Sequence, residues 1–146
     1  MTCTSQLRAR VLALRASRVL LAILFVSGGL SNLLAYSSFA RGLADLGIPM
    51  SHVLAAPAIA TDLVGGVLLV LGFRLRLLAP YMALYTIFTG FVAHPFWAFN
   101  DPNMQAAMAI QFWKNVAIAG GFLALFAAST TPAHEESDWR TEAVRR

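Results

Sequence analysis

Of the 146 residues, 58% are hydrophobic and only 12% are charged, against roughly half and about a quarter in soluble domains, and the mean hydropathy is +0.67; this balance points to lipid as the solvent. The net charge of +4 does not make a nucleic-acid surface, because the basic residues sit in short segments flanking apolar runs rather than in a patch interleaved with aromatics. The single cysteine, Cys3, excludes an intramolecular disulfide, a CxxC pair and a cysteine metal site.

Residues 1–18 form a basic flank carrying Arg8, Arg10, Arg15 and Arg18. The first apolar run follows at Val19–Tyr36, close to the about 20 residues that a spanning helix needs. Arginines before an apolar stretch also resemble a secretory signal, with Ser38–Ala40 as a loose cleavage site. The run is longer than the usual signal core of about 7–15 residues, however, and it holds Gly28, Gly29 and Asn32, which suit packing in a bundle. A retained span is therefore expected. The link Ser37–His52 contains Gly42, Gly47 and Pro49, and its Phe39, Leu43 and Leu46 recur at spacings that predict a short amphipathic helix at the interface.

Val53–Phe73 is the second run and Leu75–Ala93 the third, joined by a tight turn at Phe73–Arg76 that predicts an antiparallel hairpin. Pro95–Gln105 links to the fourth run, Ala106–Ala128, and residues 129–146 form a polar tail to which no chemistry is assigned. The expected fold is all-α, an integral membrane bundle of four transmembrane helices over residues 19–128. Arginines 8, 10, 15, 18, 74, 76, 140, 145 and 146 fall on one side and Arg41 alone on the other. The positive-inside rule then predicts both termini in the cytoplasm.

Adjacent glycines occur at Gly28–Gly29, Gly65–Gly66 and Gly120–Gly121, and Gly90 lies in the third run. Small residues let membrane helices approach closely, so bundle packing explains them without a ligand. Ionisable residues inside a span are costly and mark functional sites. Asp62 and Lys114 lie roughly 15 Å and 12 Å below the outer edges of their spans at 1.5 Å per residue. They are expected to face inward and pair, directly or through a water. His94 ends the third span, with Phe96 and Trp97 beside it as an interfacial anchor and Asp101 a few residues on. Together Asn32, Asp62, His94, Gln111, Lys114 and Asn115 could line a cleft in the outer half of the bundle, with Trp97 near its mouth. The competing reading is a buried polar network that only fixes helix register. A metal site is not expected, because no second histidine or cysteine is near. Haem lacks a second strong ligand beside His94.

The ordered set SGGLSNLL, GLADLGIP, ATDLVGGVLLVLGFRLR, HPFW and QFWKNVAIAGG, running from about Arg15 to Leu125, resembles the DoxX family of four-helix bacterial inner-membrane proteins. The resemblance implies a redox association. The family includes, or is similar to, the membrane subunit of thiosulfate:quinone oxidoreductase, and some relatives act with superoxide dismutase and a sulfurtransferase under oxidative stress. Two departures stand out: Asn32 where the family is expected to carry lysine, and Asp62 where it is expected to carry glutamate. The reading that results is a quinone-linked oxidoreductase subunit, with Asp62, His94 and Lys114 as catalytic candidates and Asn32, Gln111, Asn115 and Trp97 as ligand-binding candidates. Its partners would be the bilayer, a quinone, and a soluble redox enzyme or further copies of the chain. The alternatives are a non-catalytic anchor for a partner enzyme and a small-solute or proton pathway that requires an oligomer.

Overall fold

The computed structural model describes residues 3–130; residues 1–2 and the expected polar tail beyond Thr130 lie outside the described residues. The described chain is helical, with α1 (Cys3–Leu34), α2 (Tyr36–Asp45), α3 (Ser51–Leu71), α4 (Leu75–Ala93), a 3₁₀ turn at Phe96–Ala98, and α5 (Pro102–Thr130). Four segments are long and apolar enough to cross a membrane: Arg8–Leu34, Ser51–Leu71, Leu75–Ala98 and Pro102–Thr130.

Helix α1 has 32 residues, about 48 Å at 1.5 Å per residue. The arginine flank is therefore helix continuous with the first span rather than a separate segment. Its arginines, alanines and leucines are all strong helix formers, and no glycine or proline interrupts it before Gly28. The chain bends at Ala35, and α2 folds back over the start of α3, burying Ala40 with Phe39 and Leu43 half-buried. Arg41, on the exposed face of α2, donates to the Ser38 hydroxyl at 3.2 Å. The Tyr36 hydroxyl donates to the His52 carbonyl and ties the bend to α3.

The connection from α3 to α4 is a Schellman-type stop. Phe73 N–H donates to the Leu68 carbonyl (3.0 Å) and Gly72 N–H to that of Leu69 (3.1 Å), with Gly72 left-handed at φ 71°. Arg74 is also left-handed, at φ 42°, and α4 starts immediately after it.

The expected hairpin of the second and third spans packs differently from its connectivity. α3 packs mainly against α1, and α4 mainly against α5, while α3 and α4 touch little despite the short turn. The glycines account for this. A Cβ at Gly66 would fall 2.6 Å from Val26 Cγ2 and 3.3 Å from the Ala22 carbonyl oxygen, so α1 and α3 are in backbone-close contact. At Gly90 a Cβ would fall 3.2 Å from the Asn115 Cβ, which closes α4 on α5. Around the bundle the order is α1, α3, α4, α5, so α3 and α5 lie on a diagonal.

The main buried cluster consists of Ala22, Phe25, Leu69, Ala79, Met82, Ala83, Ala119, Phe122 and Leu125. It lies in the half of the bundle nearer the α3–α4 turn, while Ala40, Ala55, Ile59 and Phe112 are buried in the other half. Leucines such as Leu84 (72% exposed) and Leu34 (81% exposed) cover the outside, the arrangement that a lipid solvent favours.

Candidate functional site

The apolar core gives way to polar residues at mid-bundle. On α1 the stripe that carries Leu21 and Phe25 continues to Gly28 and Asn32. Leu21 reaches within 3.8 Å of a Cβ position on Gly121, and the Phe25 and Phe122 rings are 5.6 Å apart. These contacts set α1 against α5. Seven residues further from the arginine-rich end on each helix come Asn32 and Asn115, with Lys114 beside it. Nothing lies within 4 Å of a Gly28 Cβ position, Lys114 is exposed, and Asn32 is half-buried. Gly28 and Asn32 on α1 and Lys114 on α5 thus stand above the Phe25–Phe122 contact, one and two turns toward the polar end.

Asp62 enters from α3 at the level of Gly29. A Cβ at Gly29 would sit 2.8 Å from the Asp62 Cβ, so only glycine admits the carboxylate-bearing residue this close to α1. Asp62 is half-buried. Its polar neighbour is the Tyr85 hydroxyl of α4, which also donates to the Ala58 carbonyl at 3.2 Å. One turn away on each helix, Thr61 Oγ1 and the Tyr81 hydroxyl are 3.3 Å apart, and the Tyr81 and Tyr85 rings stack at 6.5 Å.

The direct ion pair expected between Asp62 and Lys114 is not formed among the described residues. Lys114 stands on α5, diagonal to α3, and Asp62 turns to Tyr85 on the adjacent helix instead. Lys114 is close enough to His94 to act on it electrostatically. Among the described residues the His94 Nδ1 is buried without a hydrogen-bond partner, at the point where α4 ends. Asn115 packs its side chain on Gly90, and Gln111, one turn nearer the start of α5, is half-buried. The set thus divides in two: His94, Lys114 and Asn115 on the α4–α5 pair, and Asp62 with Tyr85 between α3 and α4. Asn32 stands on the α1 wall.

Trp97 lies in an aromatic cluster over the same end. Its ring is 5.0 Å from Phe96, 5.8 Å from Phe91 and 5.9 Å from Phe112. Phe112 is buried at the centre, edge-on to Phe91 at 5.0 Å. Sequence reasoning missed Tyr85, Tyr81 and Phe112. The signal for the tyrosines was the i, i+4 pair of hydroxyls within an apolar run, which places both on one helix face.

Four apolar helices in two antiparallel pairs, with polar side chains gathered in one half, define a small polytopic helical membrane protein. The chain belongs to the DoxX family, whose profile matches residues 13–95, most of α1 and all of α2, α3 and α4. It is 34% identical over 117 residues to inner membrane protein YphA of Escherichia coli K12, covering 80% of this chain and 83% of that protein. It is 28% identical over 109 residues to inner membrane protein YqjF of the same organism, covering 75% and 78%. No solved structure matches it. The family match ends at Pro95, so Lys114 and the rest of α5 lie beyond it.

Proposed function

We propose that the chain is a quinone-binding membrane subunit of a redox system in a bacterial inner membrane. The observation that carries this reading is the gathering of polar side chains where the apolar cluster ends: open space beside Gly28, an exposed Lys114 on α5, and a half-buried Asp62 on α3. Together they would form a gap between α1 and α5 that a lipid-borne ligand could enter. A quinone brings an apolar tail, which the bilayer accepts, and two carbonyl oxygens, which need polar partners.

Reduction of a quinone to a quinol takes up two electrons and two protons. Lys114 would stabilise the negative charge that grows on one carbonyl oxygen as electrons arrive. Asp62 and Tyr85 form the proton-exchanging pair on the other side, while Asn32 supplies an amide donor on the α1 wall. His94 and Gln111 lead from the polar end toward Lys114. The electrons come from the reduced substrate of a partner enzyme. The redox association is the one that the family resemblance implies, and the inner-membrane setting follows YphA and YqjF.

The test is a titration of detergent-purified protein with decylubiquinone, read by quenching of tryptophan fluorescence from Trp97 and Trp113. Saturable binding should weaken about tenfold in Lys114→Met and in Asp62→Asn, the worth of one charged hydrogen bond. Leu84→Ala, on the lipid face, should bind like the wild type. Equal binding by all four proteins would rule the reading out. A wild type that takes up no quinone but retains a soluble enzyme would favour the anchoring role.

A further inference from the structure

The arginine-rich end of the bundle plays no part in this gap, yet it has a site of its own. An open hollow of about 620 Å³ lies where α3 turns into α4, lined by Gly72, Arg74, Leu75, Arg76, Leu77 and Ser129. Two arginines of the turn, Arg74 and Arg76, line it, and Arg18 of α1 lies against its Gly72 wall. Arg76 is fixed by its Nε–H, which donates to the Ser129 carbonyl at 2.9 Å, and among the described residues nothing takes up its other N–H groups. Arg74 rests over the Phe73 ring at 5.7 Å. Arg18 reaches over from α1 so that its guanidinium lies directly against Gly72, and its buried Nε has no hydrogen-bond partner among the described residues.

Among the described residues these cations have no anion to balance them. The carboxylates among the described residues are Asp45, Asp62 and Asp101. Asp45 and Asp101 belong to the opposite end of the bundle, and Asp62 belongs to its middle. Helix α4 begins at the hollow without a side-chain cap, so its first free N–H groups and its positive dipole end add to the same field. Beside the arginines the surface is apolar and open, with Leu71 70%, Leu77 65% and Phe73 53% exposed. A small soluble anion needs only the cations. A lining that sets two arginines beside two leucines fits a molecule that has both characters.

We propose that this hollow binds the phosphate group of an anionic phospholipid. Arg74, Arg76 and Arg18 hold the phosphate, and the acyl chains lie along Leu77 and the neighbouring lipid face of α4. Basic pockets between spanning helices at the membrane surface recognise such headgroups. Bound there, one lipid would join the α1–α3 pair, through Arg18 and Gly72, to the α4–α5 pair, through Arg76 and Ser129, where the two pairs otherwise share few contacts.

Native mass spectrometry of the detergent-purified full chain tests this. Dioleoylphosphatidylglycerol and dioleoylphosphatidylcholine are added in equal amounts, and sodium phosphate is added in a separate arm. The phosphatidylglycerol should be retained in preference to the phosphatidylcholine. Its retention should fall about tenfold or more in Arg74→Gln/Arg76→Gln, survive in Arg74→Lys/Arg76→Lys, and be unaffected by Arg41→Gln at the other end. If circular dichroism shows that the double glutamine variant is misfolded, Arg74→Gln alone makes the same comparison, since the Arg74 side chain makes no hydrogen bond among the described residues. Equal retention of the two lipids, or unchanged retention in the folded glutamine variants, overturns the proposal. Occupancy by inorganic phosphate that excludes the lipid overturns the lipid assignment.

Discussion

Asp62 keeps its carboxyl group from lipid by packing its Cβ toward Gly29 and turning to the Tyr85 hydroxyl. Each half of that arrangement has a measurable consequence. In a double-mutant cycle, Asp62→Asn and Tyr85→Phe should couple by more than about 0.5 kcal/mol, as residues in contact do. Asp62→Asn and Lys114→Met should add within roughly 0.3–0.5 kcal/mol, because no contact joins them. Chemical unfolding of the ligand-free protein in detergent, followed by circular dichroism, reads both cycles. Strong coupling of Asp62 to Lys114 would mean that the ion pair forms after all. The residue types in the cleft were legible from sequence, since a carboxylate, an amine and three amides in apolar runs are costly wherever they point. Their partners were not. Similar depth brings two side chains together only if their helices are adjacent, and a linear sequence does not say that α3 and α5 are diagonal.

The helices themselves were legible because an apolar run long enough to cross the bilayer is rare in a chain that folds in water, and because α2 shows its amphipathic spacing plainly. Which helices pack together depends on where single glycines point. The adjacent glycines in α3 serve two different interfaces: Gly65 admits the Met82 sulfur of α4, and Gly66 admits Val26 of α1. Gly66→Ala forces a Cβ against the α1 backbone and should destabilise the bundle by about 1–3 kcal/mol, the usual penalty for overpacking. Gly120 has nothing within 4 Å of its Cβ position and lies mid-helix in α5. Gly120→Ala should therefore be neutral or stabilising by up to about 1 kcal/mol through helix propensity. Thermal unfolding of the two variants in one detergent compares them directly; a larger loss at Gly120 than at Gly66 would contradict this assignment of interfaces.

Taken as a whole, the molecule has a polar half and an arginine-rich end, with the main apolar cluster between them. The positive-inside rule predicts that the arginine-rich end faces the cytoplasm; a reporter fused after Thr130 should then be active as a cytoplasmic protein and inactive as a periplasmic one. The opposite result would turn the gap between α1 and α5 toward the cytoplasm. The match to the DoxX family covers α1 through α4 but not α5, which makes Lys114 the part of the proposed site that most needs its own evidence. The most direct measurement is photolabelling with an azido-substituted short-chain quinone, followed by peptide mapping. Label should fall on α1 between Phe25 and Asn32 and on α5 between Gln111 and Ile118, with excess decylubiquinone suppressing it. Label spread over the lipid-facing leucines and insensitive to competitor would contradict a quinone site in this bundle.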